Sequence, residues 1–156
     1  MSNDMLLVGS DQKAIIEGLY QLLDNTQTIY TVTKNYHWNA TGSIFQKHHM
    51  NFENQHEEIV SAFDLIAERI KFLGCPAPVS RILANDPNAT CEMPDIIREN
   101  EMFTDLLKNQ KMAIQTAHTV LLLAEKSNDK TTADLLTLRI KAHAKVVVML
   151  SNFLGC

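Results

Sequence analysis

The sequence predicts an all-α fold, a four-helix bundle, on three observations. Glycine and proline are scarce, 5 and 4 in 156 residues. Four long segments repeat apolar residues at three- and four-residue steps. All four prolines, Pro76, Pro78, Pro87 and Pro94, fall in one connector in the middle of the chain. With 46% apolar and 21% charged residues the chain has the composition of a single globular domain spanning residues 1–156.

The first helix is expected from about Asp11 to Asn39, where Ile15, Leu19, Leu22, Ile29, Val32 and Tyr36 share one face; residues 1–10 are expected to be a flexible terminus. Thr41-Gly42-Ser43 breaks the pattern, with Ser43 as the expected N-cap of a second helix. That helix should run to about Leu73 and stop at Gly74-Cys75-Pro76. The connector to Pro94 contains "VSRILAN", a candidate short helix. A third helix is expected from Pro94-Asp95 to about Glu125, a turn at "KSNDK", and a fourth helix from Thr131 to Leu154. Short breaks after helices one and three make those pairs antiparallel. The long connector lets helices two and three run parallel, which is the ferritin-like arrangement with one crossover between them.

Several classes are excluded or disfavoured. A net charge of −4 and a pI near 5.8 do not describe a basic nucleic-acid surface. The opening "MSNDMLLVGSDQ" has no positive n-region and an apolar run of four residues, so no signal peptide is expected. The runs "VLLLA" and "VVVML" are far shorter than the roughly 20 residues that span a bilayer, so no membrane association is expected. Cys75, Cys91 and Cys156 form no Cys-x-x-Cys pair and read as free thiols of a cytoplasmic protein. There is no phosphate-binding glycine loop and no Gly-x-Ser-x-Gly elbow.

The second helix carries the candidate chemistry. His49 and Glu53 are four residues apart, as are Asp64 and Glu68, so each pair shares a face. Glu53 to Asp64 is eleven residues, three turns plus roughly 20°, so all four lie near one stripe. His49 and Asp64 are nevertheless separated by roughly 22 Å of helix rise, whereas metal–ligand bonds are roughly 2 Å long. The four positions are symmetric about the point between Glu58 and Ile59. An antiparallel copy of this helix, related by a two-fold axis, would set His49 opposite Glu68 and Glu53 opposite Asp64, giving two identical sites per dimer. His37, at the end of the first helix, could complete each. Two imidazoles and three carboxylates suit Fe(II), Zn or Mn. The same stripe also fits a plain solvated helix face. Glu53-Asn54-Gln55-His56 is a Glu-x-x-His step, but neither His118 nor His143 supplies a second one, so an intrachain di-iron centre is not expected. His48, His56, His118 and His143 read as surface or hydrogen-bonded residues, and Glu57 and Glu58 as solvated ones.

"YHWNATGSIF", His49, Glu53, "DLIAERIKFLG" and the later "TTADLLTLRIKAHAKVVVML" together resemble the Dps family (DNA-binding protein from starved cells, the mini-ferritins) from Asp11 to Leu154. The resemblance implies a ferroxidase, an oxidoreductase that oxidises Fe(II), preferentially with hydrogen peroxide. Ferric mineral would be stored in a hollow homo-dodecamer, limiting oxidative stress. It implies two irons per site, with Zn or Mn as substitutes, held by His37, His49 and Glu53 of one subunit and Asp64 and Glu68 of its two-fold partner. Glu53 stands where many members have aspartate. Trp38 matches a tryptophan beside the family's site. Glu125, Asp129 and Asp134 are candidates for an acidic iron-entry pore, or alternatively a turn and a helix cap. Where the family's last helix often reads His-Glu-Lys…Trp-Met-Leu, this chain has Ala144 and Val148. Only Lys13 is basic among the first fourteen residues, which argues against DNA binding through a lysine-rich tail despite the family's name. The alternative function is a DNA-compacting or surface/signalling shell with little ferroxidase activity.

Overall fold

The computed structural model describes residues 9–77 and 98–155. Four helices account for nearly all of them: α1 Ser10–Asn39, α2 Gly42–Phe72, α3 Glu99–Lys126 and α4 Lys130–Leu154. The expected short helix at 79–85, Pro78, Pro87, Pro94, Cys91, Cys156 and residues 1–8 lie outside the described residues. α3 starts at Glu99, later than the expected Pro94-Asp95, behind an extended Arg98. The α2 N-cap is Thr41 rather than Ser43. Gly42 adopts φ 62°, open to glycine without steric cost, so the chain enters the helix two residues earlier than a Ser43 cap would have set it.

The helix ends follow from local chemistry. At α2, Gly74 takes φ 94° while its N–H bonds Lys71 O and the Cys75 N–H bonds Ile70 O, the Schellman pattern that satisfies otherwise orphaned carbonyls. Asn128 does the same for α3, at φ 58°, with Asn128 N–H on Glu125 O and Asp129 N–H on Ala124 O. Asp129 then becomes the N-cap of α4, accepting from Thr132 N at 3.1 Å. One three-residue turn, Ser127-Asn128-Asp129, thus ends one helix and starts the next.

The contacts fix the topology. Tyr36 near the end of α1 reaches Asp105 near the start of α3, and Asp11 at the start of α1 meets Lys126 at the end of α3, so α1 and α3 are antiparallel. His48 early in α2 pairs with Glu99 at the start of α3, so α2 and α3 run parallel, as the crossover requires. α1 packs on α2 and α3, and α4 on α3. The α1–α3 approach is close: a Cβ on Gly18 would lie 2.3 Å from Val120 Cγ2.

Two apolar clusters form the core. One gathers Leu19, Leu22, Ile66, Ile70, Ala117 and Leu136; the other gathers Phe52, Met102, Phe103, Leu106 and Leu150. Between them along α2, α3 and α4 lies a polar layer of Gln55, Glu58, Gln110, Arg139 and His143. Arg139, 5% exposed, forks onto Glu58, with its Nη1 on Oε1 and its Nη2 3.2 Å from Oε2. His143 Nδ1 donates to Gln110 Oε1 at 2.6 Å. Toward the other end of the bundle Arg69 bonds Asp129 at 2.9 Å and Thr132 at 2.7 Å, joining α2 to the α4 cap. Glu58 stays exposed, as expected, but its carboxylate is held by a buried arginine that its neighbours in sequence do not announce.

Candidate metal centre

The two-residue break at Ala40-Thr41 folds α2 back on α1 and brings His37 against His49, their rings stacked with centroids 4.7 Å apart. Both nitrogens of His37 are buried and have no hydrogen-bond partner among the described residues. Buried polar atoms nearly always find a partner, so an imidazole held this way is a lone-pair donor without an acceptor in its own chain. Glu53 Oε2 lies 3.9 Å from His49 Nε2, and both side chains are part-exposed. His49 is thus the neighbour of both His37 and Glu53 at one end of the α1–α2 face.

Asp64 and Glu68 sit elsewhere. Asp64 lines a groove of about 650 Å³ with Tyr30, Lys34, Trp38, Val60 and Phe63. Glu68 lines a smaller cleft with Leu65, Arg69, Phe72 and Leu135. Among the described residues no three His, Cys, Asp or Glu side chains of one chain come together closely enough to hold a metal ion. The helix geometry already requires this for a stripe roughly 28 Å long from His49 to Glu68. Exposed apolar side chains accompany the stripe: Trp38 at 69%, Phe72 at 81%, and Val60 and Leu65 nearer half. Such surface is of the kind that interfaces cover.

Lys34 organises the groove. Its Nζ lies 5.1 Å over the Trp38 ring and 3.2 Å from His56 Nε2. An ammonium only donates, so His56 accepts through Nε2. Burial and then the nearby Lys34 and His37 lower the His56 pKa. His56 is thereby engaged with Lys34, and its Tyr30 neighbour lies 5.1 Å away ring to ring. The other histidines also have defined places. His48 is buried against Phe103 and Phe153 and bonds Glu99 at 3.0 Å. His143 is buried, with its pKa pushed down to about 4 by burial and then by Arg139. His118 is exposed.

Of the three pore candidates, Glu125 and Asp134 are exposed. Asp129 is turned inward, capping α4 and pairing with Arg69, which is the helix-cap alternative. Sequence reading missed two elements. One is the Tyr36 hydroxyl donating to Asp105 at 3.1 Å, where burial and the adjacent carboxylate push its pKa up to about 12. The other is the Glu58–Arg139–His143–Gln110 layer. A signal for the latter existed: positions 136, 139, 143, 146 and 150 repeat the buried face of α4, and two of them are basic.

A ferritin-like domain model matches residues 16–155. Antigen TpF1 from Treponema pallidum has a similar structure, with a TM-score of 0.82, 27% identity, and 95% of this chain and 96% of that one covered. A DPS protein from Vibrio cholerae O1, described as a member of a broad superfamily of ferritin-like diiron-carboxylate proteins, matches with a TM-score of 0.79 and 27% identity over 95% of each chain. A DNA protection during starvation protein of Brevibacillus brevis is 28% identical over 157 residues, covering 91% of this chain and 99% of that one.

Proposed function

Because the chain belongs to the Dps family of ferritin-like proteins, we propose that it oxidises Fe(II), preferentially with hydrogen peroxide, and stores the ferric product. The sites are shared: His37, His49 and Glu53 of one subunit face Asp64 and Glu68 of the partner subunit, six such dimers forming a hollow dodecamer. The observation that carries this reading is His37, half-buried and stacked on His49, with both ring nitrogens occluded from water and unpartnered among the described residues. The two carboxylates that would complete the set are out of reach on the same helix. A two-fold copy of α2 centred between Glu58 and Ile59 would bring them across and cover Val60 and Trp38. Val60 and Trp38 are exposed and line the groove that also holds Asp64.

The substrate chemistry follows from the donor set. Neutral imidazoles accept Fe(II), and hard anionic carboxylates favour Fe(III). Two Fe(II) ions give one electron each to hydrogen peroxide; its O–O bond breaks, two protons are taken up, and the products are two Fe(III) and two waters. Pairing the electrons at one site avoids the one-electron route to hydroxyl radical. Trp38, with Lys34 above its ring, lies in the groove that also holds Asp64, beside the site. Zn and Mn suit the same ligands as non-reacting or slowly reacting substitutes. An acidic chain with no helix long and apolar enough to cross a membrane among its described residues fits a cytoplasmic iron store. It does not favour the DNA-compacting shell.

The test mixes anaerobic Fe(II) with the protein and follows ferric absorbance after peroxide or dissolved oxygen. Rapid peroxide-driven oxidation with iron remaining soluble is expected. His49→Ala and Asp64→Ala proteins should each be inactive, while mixing and reassembling them should restore activity, because half of the sites in a mixed dimer are intact. Wild-type rates in either variant, or no recovery on mixing, would remove the shared-site reading.

A further inference from the structure

On the other side of α2 from the metal stripe lies a cleft of about 590 Å³ between α2 and α4, floored by α3. Asn51, Asn54, Gln55 and Glu58 line its α2 wall, Gln110 its floor, and Lys145 its α4 rim. Ile59, Ala142, Val146 and Met149 supply an apolar wall. The volume lies within the range of small-molecule sites, roughly 300–1,000 Å³.

Gln55 distinguishes this cleft from a surface furrow. Its side chain is only 8% exposed, yet neither its Oε1 nor its Nε2 has a hydrogen-bond partner. Burying a carboxamide without partners costs a few kcal/mol, so a group entering the cleft gains by meeting it. The neighbouring charges define the chemistry of that group. Glu58 is neutralised by the forked Arg139. Gln110 gives its oxygen to His143, which leaves its NH₂ end for the cleft. Lys145 is exposed and is the one lining cation, with no ion pair among the described residues. The cleft therefore offers one uncompensated positive charge, several carboxamide N–H donors and an apolar wall.

From this we infer that the α2–α4 cleft binds a small organic carboxylate, its oxygens between Lys145 Nζ and the Gln55 amide and its hydrocarbon body along Val146 and Met149. The apolar wall favours a carboxylate with an aliphatic body over inorganic phosphate, and the lysine favours the anion over the isosteric amide. The site does not depend on the ferroxidase reading, since none of its residues belongs to the metal set.

The test is isothermal titration of the full-length protein with butyrate, and separately with butyramide and inorganic phosphate. Saturable butyrate binding at one per chain is expected, with Gln55→Leu and Lys145→Met each weakening it by about tenfold or more. Lys145 is exposed, so Lys145→Met should leave folding intact, and circular dichroism checks both variants. No saturable butyrate binding, or affinity unchanged in both variants, would overturn the assignment. Phosphate or butyramide binding as tightly as butyrate would overturn the organic-acid class.

Discussion

His143 makes the sharpest quantitative case. It is buried in the polar layer, its Nδ1–H donates to Gln110, and its Nε2 faces Arg139 Nη2 at 3.5 Å. A second proton would have to go on Nε2, against a guanidinium already committed to Glu58. That is why the pKa falls to about 4, with burial the larger cause and Glu58 offsetting only part. In the unfolded chain the value returns to about 6.5. Between these two values the unfolded state binds more protons, so stability rises with pH through that window and is flat above it. His143 thus contributes stability that is fully present above about pH 6.5 and is lost as pH falls toward 4. Between pH 7.5 and 4.5 the loss amounts to roughly 2.5 kcal/mol for this one group. His143→Gln keeps a donor for Gln110 but cannot titrate. Urea denaturation of both proteins at one fixed concentration, followed by circular dichroism across that range, isolates the effect as a difference. The wild type should lose roughly 2.5 kcal/mol relative to the variant. A constant difference at all pH values would refute the reasoning, because it would mean that the imidazole is free to charge in the folded state.

Other outcomes follow from the same contacts. Glu58→Ala strands the buried Arg139 charge and should cost about 2–3 kcal/mol, whereas Arg139→Met leaves a half-exposed carboxylate to water and should cost less than about 1 kcal/mol; chemical denaturation of the pair reads the asymmetry. Gly18→Ala drives a Cβ into Val120 and should cost about 1–3 kcal/mol, with partial recovery in the Gly18→Ala/Val120→Ala double variant. Asp129→Ala removes both a helix cap and the Arg69 partner and should lower stability by about 1–2 kcal/mol; an unchanged unfolding midpoint would return Asp129 to the pool of pore candidates.

Much of the bundle was legible because helix periodicity and punctuation agree. Gly74 and Asn128 sit where the chain leaves a helix in a left-handed turn, and Gly then Pro, or Asn then Asp, marks such places in sequence. The face carrying Ile15, Leu19, Leu22 and Ile29 in α1 was readable because it is apolar and buried throughout. The shortfalls lie where the decisive partner is remote. Glu58 and Arg139 are 81 residues apart, so no local pattern distinguishes this glutamate from the solvated Glu57 beside it. The start of α2 depended on a single positive φ at Gly42, and a Thr-Gly-Ser break is equally consistent with either cap. The spacing of the candidate metal ligands was legible, but their juxtaposition was only partly so. His37 and His49 meet because of how tightly α2 returns on α1, and that angle is a property of packing.

The two sides of α2 resolve their polar residues in opposite ways. Toward α4, Glu58 meets a buried arginine and Arg69 meets a helix cap, so each charge is matched inside the chain. On the stripe facing away, neither Asp64 nor Glu68 has an ion pair with another described residue, and the two occluded ring nitrogens of the half-buried His37 have no hydrogen bond among those residues. A stable monomer has little reason to occlude both nitrogens of an imidazole without partners, since desolvation costs a few kcal/mol that a solvent-facing rotamer would avoid. The arrangement becomes favourable if something outside the chain supplies the missing acceptor: a cation for the lone pairs, and a second subunit for the exposed Trp38 and Val60. One event answers both needs when the cation is held between two copies. Metal binding and subunit association would then be thermodynamically linked, each strengthening the other at the face where the chain alone leaves its chemistry unfinished.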